Sequence, residues 1–150
     1  MDCGTAVTLD EAGLRSIGAR LAHNLRPGDV IALSGELGAG KTTLARAIIA
    51  ALGHQGDVPS PTFTLVQTYP DLDVPVAHAD LYRLESPAEA DALGLDDWLE
   101  RGVILVEWPE RLQQTFWPER LWLRLEGAGE AGRRLTWDAS PAWEGRWPPA

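Results

Sequence analysis

The chain has 150 residues, of which 45% are hydrophobic and 23% charged, and this composition is typical of a globular protein with a packed core. Its apolar runs fall well short of the roughly 20 residues that cross a bilayer, and no basic segment followed by an apolar one opens the chain, so we expect neither a membrane span nor a cleaved signal. The formal charge of −9 argues against a surface that grips a nucleic-acid backbone directly.

A single cytoplasmic domain is the simplest interpretation of this composition. The single cysteine, Cys3, has no partner for an internal disulfide, and this fits a cytoplasmic protein. No linker-like stretch divides residues 1–150, so we expect a single domain whose last residues, about 140–150, form an irregular tail. Because the charge is acidic, a role in nucleic-acid chemistry would be indirect and would depend on a partner that supplies the positive surface.

The first predicted elements are a helix, a strand and a second helix. Leucine and isoleucine recur at helical intervals over residues 14–25, and Thr8 and Glu11 have the spacing of a capping box. The run VIALS, residues 30–34, predicts a short strand that is apolar on both faces. A second helix is predicted from Lys41 to Leu52.

Five strands and one helix are predicted in the rest of the chain. TFTLVQTY alternates in polarity and indicates a strand near an edge, whereas VPVAHAD and GVILVEW read as buried strands that end in acids. SPAEADALGLDDWLE predicts a helix over 86–100 with Ser86 as its cap. RLWLRLEG and RRLTWDAS indicate a closing hairpin. This mixture of elements indicates an α/β fold built in layers.

The segment GELGAGKT, residues 35–42, has the spacing G-x-x-x-x-G-K-[ST] of a phosphate-binding loop, or P-loop. It stands between a predicted strand and a predicted helix, where backbone N–H groups and the helix N-terminus converge on an anion. We therefore predict a three-layer P-loop NTPase fold with a mixed, mostly parallel central sheet, which binds ATP and Mg²⁺. The alternative is a glycine-rich turn with no ligand.

The residues of this loop have individual predicted roles. Lys41 is the only lysine among 13 basic residues, and its compact ammonium suits the β- and γ-phosphate oxygens, where it would also neutralise charge during catalysis. Thr42 is predicted to bind Mg²⁺ through its hydroxyl, and Thr43 to reach the α-phosphate. The complete predicted phosphate-binding set is Gly35, Gly38, Ala39, Gly40, Lys41, Thr42 and Thr43.

Two acids that end buried strands are candidates to work beside the loop. A P-loop site needs a carboxylate that faces the cation, and this group usually stands at the end of a neighbouring strand. Glu107 is the predicted metal ligand, and Asp80 is the second candidate, with a catalytic role. For either residue the alternative is an acid that only caps a loop.

Three further side chains have predicted roles around the nucleotide. The loop SPTFTL places small hydroxyls where a switch loop senses the γ-phosphate, so Thr62 is the predicted sensor and Ser60 the second choice, with a simple turn as the alternative. Trp108 directly follows Glu107 and is predicted to lie over the nucleotide, or else to belong to the core. A lone histidine with no second ligand indicates no metal centre, so His78 is expected to be structural.

Four segments in this order resemble one family closely: GELGAGKTT, SPTFTLVQTY, HADLYRL and EWPERL. Together they are similar to the TsaE family of bacterial ATPases, also called YjeE, which serve tRNA threonylcarbamoyladenosine biosynthesis. The resemblance covers residues 8–112 and is more specific than the P-loop alone. The chain departs from the family's usual residues at Glu36 and Ala79, and neither position touches the proposed chemistry.

The resemblance implies a small Mg²⁺-dependent ATPase that acts with TsaB and TsaD, and that meets tRNA only indirectly. By similarity, residues 38–43 bind phosphates, Thr42 and Glu107 hold Mg²⁺, and Asp80 and Thr62 belong to the catalytic and switch set. Trp108 is similar to the family's tryptophan near the active site. The segment around Thr8 and Leu9 is similar to one that approaches the adenine, which makes Leu9 a predicted nucleotide contact.

Two other functions use the same phosphate cradle. A small-molecule kinase would transfer the phosphate to an acceptor, but the sequence has no arginine-rich insertion of lid length. A nucleotide-gated interaction module would use ATP only to order SPTFTL and DLYRL for docking. For the ATPase itself we expect slow turnover in isolation, because the sequence fixes no arginine finger; Arg83 and Arg111 are candidates within the chain.

Overall fold

The fold is known from a computed structural model that describes residues 2–3, 7–36, 40–59, 66–84, 86, 88–89, 94–111, 119–127 and 133–147. Its described helices include α1 (Glu11–His23), α2 (Lys41–Ala51) and α3 (Leu95–Trp98). Its strands are β1 (Asp2–Cys3), β2 (Val7–Leu9), β3 (Val30–Gly35), β4 (Val66–Tyr69), β5 (Val76–Asp80), β6 (Val103–Glu107), β7 (Leu121–Glu126) and β8 (Arg133–Ala139). In the described part of the chain, no helix is long and apolar enough to span a membrane.

The strands form one mixed sheet in the order β1-β8-β7-β3-β6-β5-β4, with β2 also paired to β8. The four central strands β7, β3, β6 and β5 are parallel, whereas β4 and β8 pair antiparallel at either side. This confirms the predicted α/β class and its mixed sheet. It also confirms the β7–β8 hairpin and the edge position of β4. Residues 62–65, predicted to begin that edge strand, lie outside the described residues.

Two hydrophobic clusters pack on opposite faces of the sheet and give the fold its three layers. Alternate residues of the strands face α1 and α2 on one side, and the residues between them face α3 on the other. The two helices on the first side also contact each other along their length, which fixes α2 against the sheet. The largest fully buried aliphatic side chains include Leu14, Leu21, Ile31, Leu33, Leu44, Ile48, Ile49, Ile104, Leu105 and Leu121.

The capping box predicted from Thr8 and Glu11 is wrong. The side chain of Asp10 caps α1 instead, where its Oδ1 accepts from the backbone N–H of Gly13 at 2.7 Å. Thr8 belongs to β2 and pairs with Arg134 of β8, so its backbone is part of the sheet. Both residue types suit a helix N-cap, and only the pairing of β2 with a distant strand decides between them.

The single helix predicted over 86–100 is also wrong. In this region the structure describes helical residues at Ala88 and Glu89 and the short helix α3, which begins after Gly94 and ends at Trp98. Gly94 has a φ of 70°, a left-handed conformation that an α-helix cannot continue through. The apolar spacing of the segment is helical, but the glycine at its centre separates the helical residues Ala88 and Glu89 from α3.

The C-terminal segment, expected to be an irregular tail, is packed onto the core as far as it is described. Pro141–Trp143 form a 3₁₀ turn, and Trp143 is fully buried. Arg146 then forms a bidentate ion pair with Asp29, at 2.7 and 3.0 Å, and so ties this segment to the turn that precedes β3.

Candidate nucleotide-binding site

The P-loop leaves the centre of the sheet at the end of β3 and enters α2. Gly35 and Gly40 both have positive φ, of 147° and 106°, so the turn at each end uses a conformation that favours glycine. Gly40, the N-cap of α2, makes no side-chain cap hydrogen bond, which suits a helix whose first backbone N–H groups bind an anion. Gly38 and Ala39 lie outside the described residues, so their predicted phosphate contacts stay predictions.

Lys41, the first residue of α2, is buried with 5% of its surface exposed. Its ammonium donates to the backbone carbonyl of Gly35 and, at 3.0 Å, to that of Glu36. The same nitrogen lies 4.0 Å from the centroid of the Trp108 ring. The ammonium of the lone lysine is therefore held between the start of the loop and the Trp108 ring, where its charge could attract a nucleotide phosphate.

Burial lowers the pKa of Lys41 below its ordinary value, because the charged form loses water. Four carboxylates oppose this effect and draw the pKa back up: those of Glu107, Glu110, Asp80 and Glu36. An ammonium with little water around it interacts strongly with an incoming anion, since less solvent screens the charge. The arrangement can stabilise the negative charge of a phosphate.

A chain of three polar side chains crosses from α2 to the sheet. The hydroxyl of Thr42 donates to Oε1 of Glu107 at 2.9 Å. The other oxygen of that carboxylate, Oε2, lies 2.6 Å from Nε2 of His78. Glu107 is 2% exposed and His78 is fully buried, so this hydrogen-bond chain forms away from water. The predicted metal ligands Thr42 and Glu107 are thus brought into direct contact.

Asp80 lies beside Glu107 at the same end of the sheet, because the last residues of β5 and β6 are paired in parallel register. Its carboxylate is buried, with 4% exposure, and Oδ1 accepts from the backbone N–H of Tyr82 at 2.9 Å. The backbone carbonyl of Glu107 accepts from Leu81 at 3.0 Å, which fixes the chain as it leaves β5. The register therefore places both predicted acids at the carboxyl end of the central strands.

The side-chain oxygens of Thr42 and Glu107 suit a magnesium ion. Thr42 and Glu107 offer hard oxygen ligands, and the hydroxyl hydrogen is directed to Glu107, so the lone pairs of Thr42 are available to a cation. Within the described residues, no group of three or more His, Cys, Asp or Glu side chains could hold a metal on its own. Magnesium usually keeps several waters and binds one or two protein ligands together with substrate phosphates. Two protein ligands, Thr42 and Glu107, agree with this coordination.

Trp108 has an unusual backbone for a bulky residue. Among the described residues it is the one non-glycine with positive φ, at 59°, and its N–H donates to the carbonyl of Leu33 at 3.2 Å. One side of its ring faces the Lys41 ammonium, and the Tyr82 ring packs against it with centroids 4.9 Å apart. The ring is half-buried and also packs against the smaller hydrophobic cluster, so it belongs to both the core and the loop.

Comparison with known proteins agrees with this geometry. Residues 8–135 match the family model described as "Threonylcarbamoyl adenosine biosynthesis protein TsaE". The chain belongs to the TsaE family. It is 38% identical over 133 residues to the tRNA threonylcarbamoyladenosine biosynthesis protein TsaE of Bacillus subtilis, which covers 88% of this chain and 83% of that protein. It is 46% identical over 118 residues to the Streptomyces coelicolor protein of the same name, covering 77% and 80%.

A solved structure extends the similarity to the whole fold. The crystal structure of Bacillus subtilis YdiB superposes with a TM-score of 0.72 and 33% sequence identity, covering 93% of this chain and 88% of that one. The match includes most of the C-terminal region beyond the motifs. The P-loop NTPase fold of this TsaE-family chain is therefore supported by both sequence and structure.

Two clefts flank the P-loop of this TsaE-family protein. One, of about 420 Å³, opens beside Gly35 and Trp108 and is lined further by Glu36, Glu110 and Arg124. The other, of about 560 Å³, lies between α1 and α2 and includes Thr43, Glu11 and Arg46. Leu9 lies in β2, directly before α1, and its side chain is outside the described part of the structure.

The structure brings five predicted residues together and leaves others untested. Lys41, Thr42, Asp80, Glu107 and Trp108 converge at the carboxyl end of β3, β5 and β6. Thr62 and Ser60 lie outside the described residues, as do Gly38 and Ala39.

His78 was expected to be structural, and its contact with Glu107 is one that the sequence did not predict. Strand alternation could have indicated that His78 lies on the same face of β5 as Asp80, because the two residues are two positions apart. What the sequence did not give is the neighbour, Glu107, which belongs to another strand of the TsaE-family fold.

Proposed function

We propose that this protein is the ATP-binding and ATP-hydrolysing component of tRNA N6-threonylcarbamoyladenosine biosynthesis, and that it acts with TsaB and TsaD in the cytoplasm as a single domain. The observation that carries the proposal is the contact of Thr42 with Glu107 beside the buried ammonium of Lys41. This contact supports a cation site beside a phosphate site, which is the arrangement that Mg²⁺–ATP requires. The relatives are named as tRNA threonylcarbamoyladenosine biosynthesis proteins, which supports a role in that pathway.

The proposed reaction is attack of water on the γ-phosphate of ATP. Lys41 would neutralise charge as it spreads over the phosphate oxygens, with Gly35, Gly38, Ala39, Gly40 and Thr43 holding the phosphate chain through their backbone and hydroxyl groups. Thr42 and Glu107 would hold Mg²⁺, which would supply further charge neutralisation. Asp80 would orient the attacking water, and Thr62 would sense the γ-phosphate. Leu9 and Trp108 would contact the nucleotide outside the phosphates.

Slow turnover by the isolated chain is part of the proposal. The four charged groups that act on the Lys41 ammonium within the described residues are all carboxylates. None of them can stabilise the additional negative charge of the transition state, so a further positive group, from TsaB, TsaD or the chain itself, would complete the site. Arg83 and Arg111 remain candidates within the chain. TsaD would carry out the transfer to tRNA, which agrees with the net charge of −9 of this chain.

The test measures ATP hydrolysis with and without a TsaB–TsaD pair. Wild-type protein should hydrolyse ATP slowly alone and faster with the pair, and Lys41→Ala should lose hydrolysis in both conditions while it unfolds at an unchanged temperature. Lys41→Arg is the matched variant, because it keeps the charge but replaces the compact ammonium with a planar group, and it should also lose activity.

Three outcomes would overturn parts of the proposal. Unchanged turnover in Lys41→Ala would remove the phosphate site. No stimulation by the pair would remove the partner-dependent mechanism. If partner-bound protein supports tRNA modification with its ATP uncleaved, the nucleotide-gated module is the correct function.

A further inference from the structure

The buried contact between His78 and Glu107 is not used by any step above. His78 lies on β5 and Glu107 ends the neighbouring strand β6, and both are nearly inaccessible to solvent. Their separation, 2.6 Å from Nε2 to Oε2, is that of a short charge-assisted hydrogen bond. Since Glu107 is acceptor-only as a carboxylate, Nε2 of the imidazole is the donor.

The other polar atom of the ring shows that packing alone does not explain the histidine. Nδ1 is buried and has no hydrogen-bond partner among the described residues. Leaving a polar ring atom unpaired inside the protein costs about 1–3 kcal/mol, a cost that an apolar side chain of similar size would avoid. The imidazole therefore has one polar contact here to offset that cost, and that contact is Glu107.

The two oxygens of Glu107 have different surroundings. Oε2 faces the sheet and His78, whereas Oε1 faces α2 and accepts from the hydroxyl of Thr42. A carboxylate with a fixed donor on one oxygen cannot rotate freely, so the other oxygen keeps one direction. That direction is toward the head of the P-loop helix, where the cation would lie.

We propose that His78 is a positioning residue, which holds the Glu107 carboxylate so that only Oε1 is presented to Thr42 and the cation. The inference rests on the magnesium site of the proposed function and adds a third side chain behind its two ligands. His78 itself touches neither the cation nor the nucleotide. Groups that orient a metal ligand in this way typically change metal affinity about 10–100-fold when removed.

Glutamine and asparagine at position 78 give a matched pair of variants. The side-chain nitrogen of glutamine is as many bonds from Cα as Nε2 of histidine, so His78→Gln can still donate to Glu107. Asparagine carries the same amide on a chain one bond shorter, so His78→Asn keeps the polarity but loses the reach. The comparison also separates orientation of Glu107 from stability, because both variants place an amide at the same buried position.

The measurement is the binding of a non-hydrolysable ATP analogue to the full chain, first in EDTA and then as Mg²⁺ is added. His78→Asn should need about 10–100-fold more Mg²⁺ for the half-maximal effect, while its affinity in EDTA stays at the wild-type value. His78→Gln should need close to the wild-type concentration. Glu107→Gln is the reference for direct loss of the ligand.

The outcomes distinguish this inference from the proposed function. If Glu107→Gln leaves the Mg²⁺ requirement unchanged, the metal site of the proposed function is wrong. If Glu107→Gln raises the requirement but His78→Asn does not, only the positioning role is wrong. A loss of binding in EDTA by His78→Asn that equals its loss with Mg²⁺ also overturns the inference, because a purely structural histidine would produce that result.

Discussion

Trp108 holds a backbone conformation that bulky side chains avoid, and its neighbours give the reason. A φ of 59° costs energy for a residue with a large side chain, and such conformations persist where surrounding contacts impose them. Here the hydrogen bond from the backbone N–H to Leu33 fixes the main chain, and the ring of Tyr82 and the Lys41 ammonium fix the indole. The strain places an aromatic face over the one lysine of the chain.

At this scale we predict that nucleotide binding changes the fluorescence of Trp108. Phosphates that draw the Lys41 ammonium away from the indole, 4.0 Å distant, should alter its emission on titration with Mg²⁺–ATP. Trp108→Phe should lose most of that change, although six of the seven tryptophans remain. Trp98→Phe is the matched control, because Arg101 lies 4.6 Å from its ring at the other end of β6. A full-amplitude change in Trp108→Phe would contradict the prediction.

Sequence predicted the location of single residues well where a motif fixed their spacing. Lys41 and Thr42 stand one residue apart in a pattern that has one common geometry. Asp80 and Glu107 were identified as strand-end acids, but their contact depends on the pairing of β5 with β6. His78 carried no motif of its own, and its partner comes from a strand 29 residues away along the chain.

The packing of α1 against α2 depends on a glycine in the middle of α1. A Cβ added at Gly18 would lie 2.7 Å from the Cβ of Ala47 and 3.3 Å from the carbonyl oxygen of Leu44. Both neighbours belong to α2, the helix that carries Lys41 and Thr42 at its head. The close approach of the two helices therefore helps to set the position of the P-loop helix.

We predict that Gly18→Ala destabilises the protein although alanine is the better helix former. Overpacking of this kind costs about 1–3 kcal/mol, against about 1 kcal/mol gained from helix propensity. The free energy of unfolding in denaturant measures the difference. Ala47→Gly in the same chain should recover part of the loss by removing the methyl group that Gly18→Ala would meet. Additive effects of the two substitutions would show that the contact is not the cause.

Elements were predictable where apolar spacing was long or uninterrupted. The central strands and α2 follow directly from their sequences, and α2 begins at Lys41 as predicted, with Ala51 as its last residue before the Leu52 cap. The start of α1 and the continuity of 86–100 were not predictable from local pattern. The first depends on β2 joining β8, and the second on the left-handed conformation of Gly94.

The C-terminal segment, residues 141–147, packs against the core and against the turn before β3. Trp143 belongs to the main hydrophobic cluster, and its Nε1 donates to the carbonyl of Glu119 at 3.2 Å. The guanidinium of Arg146 lies 4.2 Å from the Trp143 ring and reaches Asp29 and the carbonyl of Asn24. These contacts join the end of the chain to the turn between α1 and β3.

We predict that Trp143→Ala lowers the free energy of unfolding by about 3–5 kcal/mol, the usual cost of removing a buried aromatic side chain. Glu144→Ala changes an exposed neighbour and should stay within about 0.5 kcal/mol. Denaturant unfolding followed by circular dichroism measures both. Equal stability of the two variants would mean that the segment adds nothing to the core. Nucleotide binding by folded Trp143→Ala should be unchanged, since the residue touches no part of the P-loop among its described contacts.

The sequence by itself determined the fold class, the P-loop and the identity of the acids, because each depends on residue types at short, fixed spacing. Only the tertiary structure decided which acid meets Thr42, which side chain stands behind it, and where the C-terminal tryptophan packs. Those contacts join residues far apart in the chain, and they follow from strand order and register rather than from local preference. Periodicity shows which face of an element is buried, but it does not show what that face meets.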